Sequence, residues 1–222
     1  MPMPTPPPHL VVVAGTKGGC GKTTTATNLL VAALRSGVDA AGIDLDPQGS
    51  LRTWAADRTR QGREPAVEVV GGRLTDWREA LTAGASLAVV DLAPGLDEER
   101  EALPFKELAG AADLVLIPAL PEGPSVRKLG DVGAALREAG ARVAFVMNKT
   151  IAGRAILADA RTYLRRRAEL LSIEIPMRDA IHRAMDEGVA VVEHPAFGGC
   201  REYRELWRLV AARIGLPNKA VA

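Results

Sequence analysis

The segment "KGGCGKTT" at Lys17 to Thr24 carries the most specific chemistry in the chain. Gly18, Gly19 and Gly21 have no Cβ, so backbone N–H groups there can wrap closely around a phosphate chain. Lys22 supplies a point charge that reaches β and γ phosphates, and the Thr23 hydroxyl is a ligand for Mg²⁺. Cys20 needs only to be small, and Thr24 follows at the start of a helix whose N-terminal dipole adds to the attraction. The segment departs from G-x-x-x-x-G-K-[ST] at one place, where Thr16 stands at the first glycine position. ATP with Mg²⁺ is the expected ligand pair, and hydrolysis the expected reaction.

Two carboxylate segments could serve the same phosphate chemistry. "IDLDPQGS" at Ile43 to Ser50 closes an apolar run, and Asp44 and Asp46, two apart at a strand end, point the same way. Asp-Pro-Gln-Gly is equally a good turn after a strand. "LAVVDLAPG" at Leu87 to Gly95 ends an apolar run in Asp91, as needed for a carboxylate that holds Mg²⁺ through water. A buried strand ending in a lone Asp is also common.

These residues need rigid elements to position them, and the pattern supplies such elements. Short β-branched runs occur at Leu10 to Ala14, Ala40 to Asp44, Leu87 to Asp91, Asp113 to Pro118 and Arg142 to Asn148, and most read as buried strands. Helical spacing lies between and after them, at Thr23 to Ser36, Leu103 to Ala112, Ser125 to Ala139 and Ile156 to Leu170. Alternation of this kind predicts an α/β fold, a single-domain P-loop NTPase with a mostly parallel central sheet flanked by helices on both faces. The polar, Arg-rich stretch Leu51 to Arg73 yields only "AVEVV" at Ala66 to Val70 as a strand candidate. Five prolines among the first eight residues predict a disordered tail over 1–8, then one domain over 9–216 and a flexible tail over 217–222.

Composition agrees with a single core: 222 residues, 47% hydrophobic and 25% charged. Net charge is only +1, so any nucleic-acid or membrane contact must come from a local patch. The charge is uneven, with 15 basic and 18 acidic residues up to Asn148 against 13 and 9 after it. Two cysteines, Cys20 and Cys200, make no disulfide framework, and no run approaches 18 apolar residues. A reducing cytoplasm fits this balance.

Lys17, placed just before two glycines, makes the loop resemble the deviant phosphate loop of the ParA/MinD family of ATPases, and the resemblance extends over nearly the whole chain. It implies a homodimer formed on ATP, in which Lys17 crosses the interface to the partner's nucleotide. It implies that Asp46 positions the attacking water, that Asp44 supports the metal shell, and that Thr23 and Asp91 hold the metal. "VMNK" resembles the family's strand-end Asn, which gives Asn148 to the adenine, and "IPMRDA" places Pro176 and Met177 against the same base. Met177 reads equally as core filler.

What such an ATPase moves is a separate question. Only about nine residues precede the first strand, so the chain resembles the small single-domain branch that includes ParF and relatives that position carboxysomes or chemoreceptor clusters. The resemblance implies non-specific DNA binding on the nucleoid when ATP is bound, partitioning of plasmid, chromosome or protein-assembly cargo, and a ParB-like or adaptor partner that stimulates hydrolysis. Candidate DNA contacts are Arg154, Arg161, Arg165, Arg166, Arg167, Arg183, Arg201, Arg204 and Arg208, each of which also reads as a solubilising surface charge. The alternatives are a MinD-like membrane-associated regulator and a metabolic P-loop enzyme of the same fold. The first would use the amphipathic Arg201 to Gly215, whose Leu206, Trp207, Val210 and Ile214 stripe is better explained by core packing. The iron-protein branch of the second needs two cluster cysteines per subunit, and Cys20 lies in the loop itself.

Overall fold

The β-branched runs form strands β1 (His9–Val13), β2 (Ala40–Asp44), β3 (Val69–Gly71), β4 (Leu87–Asp91), β5 (Leu114–Ala119), β6 (Val143–Thr150) and β7 (Glu169–Pro176). Helices α1 (Lys22–Arg35), α2 (Ser50–Arg60), α3 (Glu99–Ala111), α4 (Gly123–Glu138), α5 (Ala155–Arg165), α6 (Asp179–Asp186) and α7 (Cys200–Ile214) connect or follow them. The computed structural model describes residues 7–81, 85–95, 99–196 and 198–217. Most of the expected tails at 1–8 and 217–222 lie outside the described residues.

Among the described residues the strands form one seven-stranded sheet in the order β3-β2-β4-β1-β5-β6-β7, with every pairing parallel. Alternation along β1 divides the core in two. Val11 and Val13 pack with Leu29 and Leu30 of α1 and with Leu206 and Trp207 of α7. Leu10, Val12 and Ala14 face the other way, onto Leu108 of α3, Leu129 of α4 and Leu164 of α5. Helices therefore cover both faces of a single-domain sheet, as the alternation predicted. Gly37 stops α1 at φ 82, which lets the Val38 N–H return to the Ala33 carbonyl at 3.0 Å.

The C-terminal helix is core. Leu206, Trp207, Val210 and Ile214 are all buried, and Trp207 Nε1 donates to Ser36 Oγ at 3.0 Å at the end of α1.

Two expectations change. The helix expected over Ile156 to Leu170 ends at Arg165, and Leu170 belongs to β7. Leu157, Ala160, Leu164, Ala168 and Leu171 are all buried at spacings of three or four, so the helical period runs on while the chain has already turned. β7 is an edge strand with exposed Glu169 and Ser172, which masks its own alternation. The second change falls in Leu51 to Arg73, which holds α2 and then the short edge strand β3 at Val69–Gly71.

α2 contributes a buried cation that its Arg-rich composition concealed. The Arg58 side chain is 0% exposed; its two terminal nitrogens donate to Glu193 at 2.7 and 2.8 Å and its Nε to the Pro65 carbonyl at 2.8 Å. Glu193 also accepts from the Ala190 N–H, so the pair fastens α2 to the segment ahead of α7. Removing Arg58 leaves the buried Glu193 carboxylate with only the partly exposed Arg35, at 3.8 Å, as a cationic partner. Arg58→Ala is expected to lower the urea unfolding free energy by about 3–5 kcal/mol. A loss under about 1 kcal/mol, the scale of a surface pair, would show that the site is open to water.

Candidate active site

Parallel pairing sets the ends of three strands level, with Val13 opposite Asp91 and Asp44 opposite Asp91. The chain leaves β1 there and turns into α1 through Gly19 at φ 71 and Gly21 at φ 92. Gly21 has no substitute: its φ is left-handed, and a Cβ would lie 2.2 Å from Asn148 Nδ2. α1 begins with no side-chain cap and no acidic residue in its first turn, so its leading N–H groups remain open to an anion. In front of them lies a cavity of about 370 Å³ lined by Gly18, Gly19, Lys22, Thr23, Asp46 and Asn148, among others. Lys22 is 6% exposed. This is the arrangement a phosphate chain needs, with backbone donors, a helix N-terminus and one desolvated ammonium.

The carboxylates divide their work. Asp91 Oδ2 accepts from the Thr23 hydroxyl at 2.6 Å, while Oδ1 is buried with no hydrogen-bond partner. Desolvation raises the Asp91 carboxyl to about 7; the Thr23 bond opposes this, nearby Asp44 adds to it, and Lys22 opposes it. An orphaned carboxylate oxygen beside a hydroxyl fits Mg²⁺, which takes one or two carboxylates and otherwise phosphate and water. Among the described residues no group of three or more His, Cys, Asp or Glu side chains is gathered, and Mg²⁺ of this kind needs none. Asp44 is fully buried and turned toward α2, where its oxygens accept the Asp46 N–H at 3.1 Å and the Arg52 N–H at 2.9 Å. Its geometry fixes the turn that carries Asp46. Asp46 is half-buried, borders the cavity and accepts the Gln48 N–H at 2.9 Å.

Lys17 does not border that cavity. Its side chain is 56% exposed and donates to Glu122 at 2.8 Å, and this bond together with the lysine's charge holds the Glu122 carboxyl below its usual range. It lines a neighbouring cavity of about 460 Å³ with Glu122, Lys149, Arg154, Ile151, Ile156 and Met177. Met177 is 54% exposed, which rules out core filler, and it borders the phosphate cavity as well, beside Pro176. Asn148 is buried, with Nδ2 donating to the Cys20 carbonyl at 2.7 Å and Oδ1 accepting the Lys149 N–H at 2.9 Å.

Sequence reasoning missed Arg178, His182 and Tyr203, which also line the phosphate cavity. Arg178 could have been found as the basic residue that follows Pro176 and Met177. Tyr203 is supplied by α7 from the far end of the chain, and no local signal marks it.

The nine candidate DNA-contacting arginines differ in their surroundings. Arg154 and Arg165 stand at opposite ends of α5, roughly 16 Å apart for a helix of that length. Arg161 forms two bonds with Glu174, Arg167 contacts Tyr163 and Asp131, and Arg204 donates to the Val192 carbonyl. Arg208 pairs with Glu205 and Arg201 with Glu202. Arg154, Arg165, Arg166 and Arg183 are exposed.

A family model for the CobQ/CobB/MinD/ParA nucleotide binding domain matches residues 11–191. The maintenance of carboxysome distribution protein A of Gloeobacter kilaueensis is 41% identical over 115 residues, 51% of this chain and 50% of that relative, so the match spans half of its length. The chromosome-partitioning ATPase Soj of Thermus thermophilus is 28% identical over 243 residues, covering 92% of this chain and 96% of its own. The solved septum site-determining protein MinD with Mg-ADP, from Pyrococcus horikoshii, superposes with a TM-score of 0.71 at 18% identity, over 92% of this chain and 98% of that one. At that identity the likeness is one of fold.

Asp91 gives the metal-free site a pH signature. The unfolded carboxyl ionises near its ordinary 3.8, whereas the folded one keeps its proton to about 7. Between those values the folded state binds more protons, so stability falls as pH rises, by up to about 1.4 kcal/mol per unit. Urea unfolding in EDTA is expected to show this decline from pH 5 to 7 in the wild type and a flatter course in Asp91→Asn. Equal slopes in the two proteins would mean that Asp91 is ionised in the folded state.

Proposed function

This chain belongs to the CobQ/CobB/MinD/ParA nucleotide-binding domain family, and from that premise we propose that it is a ParA-type ATPase, dimerising on ATP and binding DNA non-specifically to partition or position cargo. The observation that carries this reading is the place of Lys17. It stands immediately before the phosphate loop yet outside its own phosphate cavity, exposed beside Ile151, Ile156 and Met177. An ammonium so placed serves the nucleotide of a facing copy, and the exposed apolar side chains around it suit a face covered by that copy.

Within one subunit, Lys22 and the open N–H groups of α1 hold the β and γ phosphates. Thr23 and Asp91 hold Mg²⁺, which when bound neutralises charge across the phosphate oxygens. Asp46, at the cavity rim on a turn fixed by Asp44, orients the attacking water. The names of two relatives, one for carboxysome distribution and one for chromosome partitioning, support a cargo-moving role; to this we add a partner that stimulates hydrolysis.

Lys22→Ala is expected to abolish nucleotide binding in a titration with fluorescent ATP. Asp46→Ala is expected to keep ATP affinity while turnover falls about 100-fold or more, the scale of a lost proton acceptor, leaving a dimer by size-exclusion chromatography. Normal turnover in Asp46→Ala would remove that residue from the reaction. Mobility shifts on random-sequence DNA test the partner: retardation with ATP, none with ADP, and steep weakening with salt are expected. Sedimentation with anionic liposomes in place of DNA retardation would overturn the DNA assignment.

A further inference from the structure

Among the described residues, α7 contributes one side chain to the lining of the phosphate cavity, that of Tyr203. Its ring belongs to the same buried cluster as Ala26 and Leu29 of α1 and is 1% exposed, yet it borders the cavity. The hydroxyl lies beside Thr25, whose own proton is committed to the Gly21 carbonyl of the phosphate loop at 2.8 Å. Burial pushes the Tyr203 phenol up and Thr25 opposes the shift, so the hydroxyl keeps its proton at neutral pH. Tyr203 is therefore a donor held in place by packing, one helical turn beyond Gly21, where the loop enters α1.

From this placement we infer that the Tyr203 hydroxyl donates a hydrogen bond to the α-phosphate of the bound nucleotide. With Lys22 and Thr23 given to the β and γ phosphates and Pro176 and Met177 to the base, other lining residues meet the stretch of ligand between them. Thr24, Arg178, His182 and Tyr203 are free for that stretch. Arg178 is a cation with donors only, Tyr203 is a neutral donor, and no carboxylate stands in this group. A ribose hydroxyl is commonly held by a carboxylate, whereas a phosphate oxygen calls for donors and positive charge. Asp46, the carboxylate that does line the cavity, is carried by the turn after β2 and serves the other end of the reaction. A phenol also suits the task because its ring is rigid and already packed, so little side-chain freedom is lost when ligand arrives. This inference rests on the nucleotide reading given above and adds to it one contact from the last helix.

The test is a calorimetric titration of the full chain, wild type and Tyr203→Phe, with Mg-ATP and with the two diastereomers of its α-thio analogue, in which sulfur replaces one α-phosphate oxygen. Sulfur is a poor acceptor, so the wild type is expected to bind one diastereomer about tenfold more weakly than ATP, the scale of a hydrogen bond to a charged group. Tyr203→Phe keeps the ring and its packing and removes only the hydroxyl. It is expected to lose about tenfold on ATP and to lose little more on that same diastereomer, because the bond is already broken there. Equal losses on ATP and on both diastereomers would overturn the inference and place the hydroxyl on the ribose or in support of Thr25. The wild type also decides by itself: equal affinity for ATP and both analogues would overturn the α-phosphate contact whatever the variant does. A wild-type chain that binds neither ATP nor magnesium tripolyphosphate would instead sink the nucleotide reading on which it rests.

Discussion

Parallel register between β1, β4 and β2 brings Val13, Asp91 and Asp44 to one level, and the site depends on that alignment. The phosphate loop starts where β1 stops, so the open N-terminus of α1 lies beside two carboxylates carried by neighbouring strands. A slip of one residue in β4 would turn Asp91 to the opposite face of the sheet. Burial of Val11, Val12 and Val13 and of the β4 run between two helical layers is what forbids the slip.

Packing the site so tightly leaves it electrostatically unfinished without ligand. Asp91 has an oxygen with no partner, Lys22 is nearly buried, and the helix N-terminus is uncapped. Each is a cost to the folded state that phosphate and a hard cation would relieve. Binding such a ligand to the folded chain alone raises its stability by mass action. The site thus trades stability for affinity, as functional sites commonly do.

The last third of the chain completes the layer behind this site. Asn28 of α1 bonds the Thr24 carbonyl and accepts the Val192 N–H at 2.9 Å, Trp207 reaches Ser36, and Glu193 holds Arg58. The middle and the C-terminal end of α1 and the C-terminal part of α2 are therefore fixed by residues more than a hundred positions away. Tyr203 reaches the phosphate cavity by the same route, carried on the buried face of α7.

The local motifs were legible because their chemistry is local: the glycines, Lys22 and Thr23 lie within six residues, and a β-branched run followed by a helical period defines what positions them. Strand and helix alternation was likewise enough for the layered fold, since each element shows its own period. Sequence alone failed where the deciding partner is distant. Arg58 reads as a surface arginine until Glu193 is placed against it, Glu169 and Leu170 read as helix until an edge of the sheet claims them, and Met177 reads equally as a base contact or as core until it is found exposed. Resemblance gives Asn148 to the adenine, and the tertiary structure adds that its amide also bonds the Cys20 carbonyl and the Lys149 N–H. Residue type and spacing determine what a group can do; which of its hydrogen bonds remain available is decided by what packs against it.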